Sequence, residues 1–300
     1  MRALLVALVV AAGCRGSAGP ELAGDRAYGA ARYAEALAAY RESAGEKGPG
    51  RVWAKVAAAA LHAGELGVAV DAWRRMAADD PTRLEEAADG LEAVAREADR
   101  RGDGRALHGA VVALRAVAPE RSIGRHALAL TRRGTLGDGE ALALLPAAMS
   151  AAPDAETVDS LLTAYAAALQ ATAGCEQAVP AYRAALRRTR SSPVRTRAAG
   201  GLANCTLSLG LVALGGGRAE DAERWLVQAV RVDSVSWIGR RALIALGDAR
   251  VGQGDILAAA IAYQSAADGG ATDSLGRLAR ERLNRLGGGG VADTTRRRSR

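Results

Sequence analysis

An all-α fold of stacked helix pairs is what these 300 residues predict, and three observations carry the expectation. Alanine fills roughly a quarter of the chain; it is the best helix former and adds little bulk to a core. Phe is absent and aromatic residues make up only 3%, too few for the bulky core that a sandwich or barrel wants. One pattern of small and large residues recurs. Ala57, Gly64, Ala69, Trp73 and Met76 fall at steps of 7, 5, 4 and 3, as do Gly210, Gly217, Ala222, Leu226 and Ala229, and again Gly247, Gly254, Ala259, Tyr263 and Ala266. Steps of 4 and 3 place the last three residues of each set on one helical face. The glycine before them marks a turn, and the small residue before that lies on a preceding helix, where it lets two backbones approach. Such a pair cannot bury its apolar face alone, so neighbouring pairs must stack on it.

From the N-terminus, Arg2 and the apolar stretch Leu4 to Ala12 have the order of a secretory leader and are too short to span a bilayer. The small residues Ala11-Ala12-Gly13 before Cys14 resemble the bacterial lipoprotein signal, with Ala11 where that family prefers Leu. The resemblance implies a leader over 1–13, a lipidated Cys14, a short linker over 14–19 and an exported, lipid-anchored protein of the cell envelope. Arg15 after the cysteine resembles the outer-membrane class, facing the periplasm. Two or three acyl chains, at about 0.8 kcal/mol per methylene, hold such a protein on its membrane. An ordinary cleaved signal with an incidental cysteine is the alternative.

The array is expected over 20–286. Residues 24–40 give a partial pair through Gly24, Ala36 and Tyr40, and 53–81 is a full one. Degenerate pairs follow in 88–119, 123–153 and 156–190, the last marked by Ala178, Tyr182 and Ala185. The clear pattern returns at 206–234 and 243–268. Pro146 and Pro180 should kink or shorten their helices. The wide step from Ala178 to Ala222 points to a lengthened fifth or sixth pair. Leu275, Leu278, Leu283 and Leu286 recur at helical period among arginines, as a terminal capping helix over 273–286 requires. The glycines from Gly287 to Gly290 should end it, leaving 287–300 as a disordered tail.

Cys175 and Cys205 remain once Cys14 is assigned, and export would let a disulfide persist between them. A turn near Ser191-Ser192-Pro193 sets residue 175 opposite about residue 209, roughly one helical turn from Cys205. Bridging therefore needs the helices kinked or shifted, and two buried free thiols are the other possibility.

The repeated unit resembles the tetratricopeptide family, best through Trp53, Val56-Ala57, Ala69, Trp73 and Pro81, and again through Leu246-Gly247 with Ala259, Tyr263 and Ala266. The resemblance implies a right-handed superhelical solenoid of about seven pairs, and a concave groove that takes a partner protein or peptide. If first helices line that groove, its candidates are Lys55, Arg96, Ser160, Asn204, Arg241 and Asp248.

Catalytic chemistry finds little footing. His62, His108 and His126 are scattered over different helices, without metal-ligand spacing or a serine-hydrolase elbow, so neither an enzyme, a metal nor a cofactor is expected. The formal charge of +7 is concentrated at the ends: Arg296, Arg297, Arg298 and Arg300 lie in the tail and Arg2 in the leader. The nearly neutral body argues against a nucleic-acid groove. The tail is either a solubilising end or a weak contact for an anionic surface. The expectation is thus a non-enzymatic envelope scaffold, with direct binding of peptidoglycan or another anionic polymer as the alternative.

Overall fold

The computed structural model describes residues 19–296 except 135 and 271, with backbone alone over 288–296. Leader, Cys14 and the last arginines, Arg297, Arg298 and Arg300, lie outside the described residues. Among the described residues the chain is all α, with fifteen α-helices, one 3-10 turn at Pro81–Arg83 and no strand. Seven helix pairs follow in order, as a tetratricopeptide-like array has them: α1 (Pro20–Gly29) with α2 (Tyr33–Ala44), α3 (Gly50–Ala63) with α4 (Leu66–Asp79), α5 (Leu84–Arg101) with α6 (Gly104–Val117), and α7 (Gly124–Arg133) with α8 (Asp138–Ser150). Then come α9 (Ala155–Thr172) with α10 (Cys175–Arg188), α11 (Ser192–Gly215) with α12 (Ala219–Val232), and α13 (Trp237–Gln253) with α14 (Ile256–Asp268). A last helix, α15 (Ser274–Arg296), closes the series. The helices divide into two compact units, one up to His126 and one from Ala127.

Local chemistry explains the pairing. At four turns a glycine with positive φ caps the helix or, at Gly217, follows its cap: Gly64, Gly102, Gly217 and Gly254. Here the next N–H reaches back into the finished helix: Glu65 to Ala60, Asp103 to Ala98, Arg218 to Ala213 and Asp255 to Arg250, each at 2.9 Å. The second helix then starts at once, and Asp103 and Asp255 accept from the amides of Ala106 and Ala258 at 2.9 and 3.0 Å.

The repeat spacing has a packing cause. A Cβ at Gly24 or Gly247 would stand under 3.0 Å from the ring of Tyr40 or Tyr263, and one at Gly210 equally close to Leu226. The small residue of the first helix is thus the seat of the large residue on its own partner helix. Two further seats cross between pairs: Trp73 of α4 rests on Gly90 of α5, and Tyr182 of α10 rests on Gly201 of α11. Around these contacts Ala69, Met76, Ala222, Leu226, Ala229, Ala259 and Ala266 are fully buried, each Leu or Met burial contributing about 1.5–3 kcal/mol.

Two boundaries differ from expectation. The α10–α11 turn lies at Thr189–Ser191 instead of near Pro193, because Pro193 opens α11, where its missing N–H costs nothing. The cysteines then stand equally far from the turn, and Cys175 and Cys205 form a disulfide with Cα atoms 5.0 Å apart and no kink needed. Pro146 and Pro180 are carried inside α8 and α10, which continue to Ser150 and Arg188. Finally, α15 passes through Gly287–Gly290 to Arg296, where a disordered tail was expected from 287. Helical backbone bonding needs no side chain, so glycine weakens a helix by about 1 kcal/mol each relative to Ala without forbidding it.

The wide step from Ala178 to Ala222 is taken up by α11, of 24 residues, the first helix of the sixth pair. Among the described residues α11 alone is long and apolar enough to cross a membrane. Here it is a core helix packed on α10, α12 and α13, with Leu202, Cys205 and Leu207 buried. The capping helix is fastened by Arg240, a buried guanidinium on α13. It pairs with Asp273 before α15, at 2.5 and 2.8 Å, and donates to the Ala266 carbonyl at 3.1 Å. The Arg240 bond first, then the Gly276 amide, holds the Asp273 carboxyl well below the usual carboxylate range.

Candidate partner-binding grooves

In each unit a recess opens on the first helices of successive pairs. In the first unit it has a volume of about 530 Å³, between the end of α3, the face of α5 and the start of α7. Leu61 and Ala93 supply the apolar part of the wall, and Arg96, Arg100, Arg101 and Arg125 supply positive charge against Glu97 and Asp99. Arg100 and Arg101 both pair with Glu97, and Arg96 lies 3.5 Å from Glu92. Among the described residues no ion pair engages Arg125. His126 also lines the recess and is 4% exposed. Burial, with Arg125 and Arg96 acting in the same sense and Glu92 and Asp99 against it, pushes the His126 pKa below its ordinary value. His62 joins from α3, its ring stacked on Tyr33 at 4.6 Å and edge-on to Tyr28 at 5.8 Å. Two histidines that look scattered in the sequence therefore share one wall, because each occupies a first helix on the same face.

The recess of the second unit, about 400 Å³, lies among α7, α9 and α11, with Leu145 reaching in from α8. Its floor is apolar, made by Leu128, Leu145, Leu161 and Val194, all buried. Thr157, Ser160 and Arg197 edge it, with Arg197 donating to Ser160 Oγ at 3.4 Å.

The six groove candidates separate. Arg96 lines the first recess and Ser160 the second. Lys55 instead ties α3 to α1, 2.7 Å from Asp25 and 3.0 Å from Glu21, and Asp25 also accepts from the Tyr40 hydroxyl at 2.9 Å. The Lys55 bond lowers the Asp25 pKa, while burial and then that carboxylate raise Tyr40. Asp248 has the same arrangement at the other end of the array, accepting from Tyr263 at 2.7 Å and pairing with Arg282 of α15 at 3.1 Å. In both places a Tyr of the second helix, a carboxylate of the first and a cation of the following helix staple neighbours together. Asn204 is exposed beside the disulfide, and the Arg241 guanidinium lies 5.2 Å from the Trp237 ring centroid. Neither lines either of these two recesses. The sequence reading missed Arg125, His126, Leu161 and Val194 in the walls. Their common signal is a place on a first helix, in its first turn for Arg125, His126 and Val194.

Among the described residues no group of three or more His, Cys, Asp or Glu side chains could hold a metal ion. The sequence matches no known family profile and no curated protein. Solved structures similar to the chain include the apo form of the quorum sensor NprR from B. thuringiensis (11% identity, 89% of this chain and 67% of that one, TM-score 0.34). Others are a TPR repeat-containing protein from Cytophaga hutchinsonii (12%, 87% and 98%, TM-score 0.37) and the TPR2AB-domain:pHSP90-complex of yeast Sti1 (16%, 89% and 95%, TM-score 0.32). Superpositions this loose carry no argument. The description as a tetratricopeptide-like array rests on the chain's own helix pairs and glycine seats.

Proposed function

We propose that this chain is a non-enzymatic scaffold that binds a partner protein or peptide along the first-helix faces of its array, lipid-anchored in the bacterial envelope through Cys14. The observation that carries the reading is the pair of open recesses, each lined chiefly by first helices. Recesses of 530 and 400 Å³ have room for side chains of a bound segment, and helices give such a site rigid walls. The Cys175–Cys205 bridge suits an oxidising compartment, which agrees with export and the outer-membrane, periplasm-facing address implied by the leader.

A photo-crosslinking residue at Arg96 or Ser160 in living cells tests the scaffold reading. A discrete, stoichiometric adduct from these positions, absent when the crosslinker replaces the exposed Arg115 of α6, is the expected result. Equal labelling from all three positions would contradict it. The anchor has its own test, since palmitate labelling should vanish in Cys14→Ser.

A further inference from the structure

The first recess carries more positive charge than the fold employs. Four guanidinium groups face Glu97 and Asp99, two of the four share Glu97, and Arg125 is exposed with no ion-pair partner among the described residues. Arg96 keeps a half-exposed side chain, at 51%, on its 3.5 Å pair with Glu92. The polar ring of His126 stands in the same wall, nine-tenths buried. Guanidinium groups meet carboxylates through paired N–H donors, and in a partly desolvated recess such bonds are stronger than on an open surface.

We infer that this recess is the docking site for an acidic segment of the partner, with Asp or Glu side chains received by Arg96 and Arg125 and the apolar stems lying on Leu61 and Ala93. The inference rests on the scaffold reading and adds the chemistry of what is bound. A peptide suits the place better than a charged membrane does. The recess lies between helices, whereas a bilayer is flat, and Glu97 and Asp99 repel a uniformly anionic surface while leaving room for spaced carboxylates. The recess of the second unit has an apolar floor and two arginines, Arg132 and Arg197, beside Glu156, so its preference for carboxylates is expected to be weaker.

The test uses the full chain and two fluorescein-labelled decapeptides, alternating Ala-Glu and alternating Ala-Gln, followed by fluorescence anisotropy at physiological salt. The Glu peptide should bind saturably and at least about tenfold more tightly than the Gln peptide. The double variant Arg96→Gln/Arg125→Gln should lose about tenfold in affinity for the Glu peptide, while Arg115→Gln at the exposed surface of α6 leaves it unchanged. Both altered arginines of the double variant are on the surface, so its melting curve should match the parent and a loss of binding is not a loss of fold. Equal affinity for both peptides, undiminished binding by the double variant, or no saturation below about 1 mM would overturn the proposal. So would displacement of the Glu peptide by phosphatidylglycerol vesicles, which would assign the recess to a lipid surface. If the proposal fails while position 96 still crosslinks its partner, the scaffold reading stands and only the acidic chemistry is lost.

Discussion

In the first unit the recess is walled by arginine and histidine, whereas in the second the same kind of recess has a floor of leucine and valine under hydroxyl groups. Beneath both, the helices are seated alike: Tyr40 on Gly24 and Trp73 on Gly90 in one unit, Tyr182 on Gly201 and Tyr263 on Gly247 in the other. The contrast teaches that packing and lining are set by different residues of the same helices. Buried faces repeat because every pair must solve the same steric problem, while groove faces differ because nothing in the packing constrains them. A second difference is covalent, since among the described residues only the second unit holds a disulfide.

Reduction should therefore separate the units. The bridge spans 30 residues of chain, and removing it by Cys175→Ser/Cys205→Ser should weaken the second unit by roughly 3–4 kcal/mol through restored loop entropy. Native-state hydrogen exchange is expected to show lost protection in α10 and α11 and unchanged protection in α3 to α5. Equal losses in both units would erase the distinction.

A substitution in the other unit reverses the pattern. Gly90→Ala would place a methyl under 3.0 Å from the Trp73 ring, an overpacking cost of about 1–3 kcal/mol. Denaturant melts should show it, with the exchange loss now confined to α4 and α5.

Acid should also act on the first unit. The folded state holds His126 below its unfolded pKa of 6.5, so it binds fewer protons than the unfolded chain there. The stability this represents is fully present above about pH 6.5 and declines as pH falls below it. His126→Gln should flatten the decline in melting temperature between about pH 6.5 and 5, and an identical slope in the variant would show that another group is responsible.

Much of the architecture was readable because it is repeated. The steps from Gly210 to Leu226 and from Gly247 to Tyr263 place a seat and its occupant within one pair, where the turn length is constant. Seats between pairs were not readable. Trp73 meets Gly90, and Tyr182 meets Gly201, across loops of unequal length, so no single spacing reveals them. The disulfide depended on locating one turn to within two residues, which the N-terminal place of Pro193 decides. The grooves were hardest to read. Lys55 and Asp248 look like free groove charges until Tyr40 and Tyr263 are seen to complete their staples, and His126 joins His62 only through stacking of first helices.

The most direct test is a difference in sign between adjacent residues of α11. A methyl on Gly200 meets nothing within 4 Å, while one on Gly201 collides with the Tyr182 ring. Measured by denaturant unfolding, Gly200→Ala should stabilise the protein by about 0.5–1 kcal/mol through helix propensity. Gly201→Ala should destabilise it by about 1–3 kcal/mol. Gains of similar size from both substitutions would mean that no aromatic ring is seated there, and the packing scheme drawn from these helix pairs would be wrong.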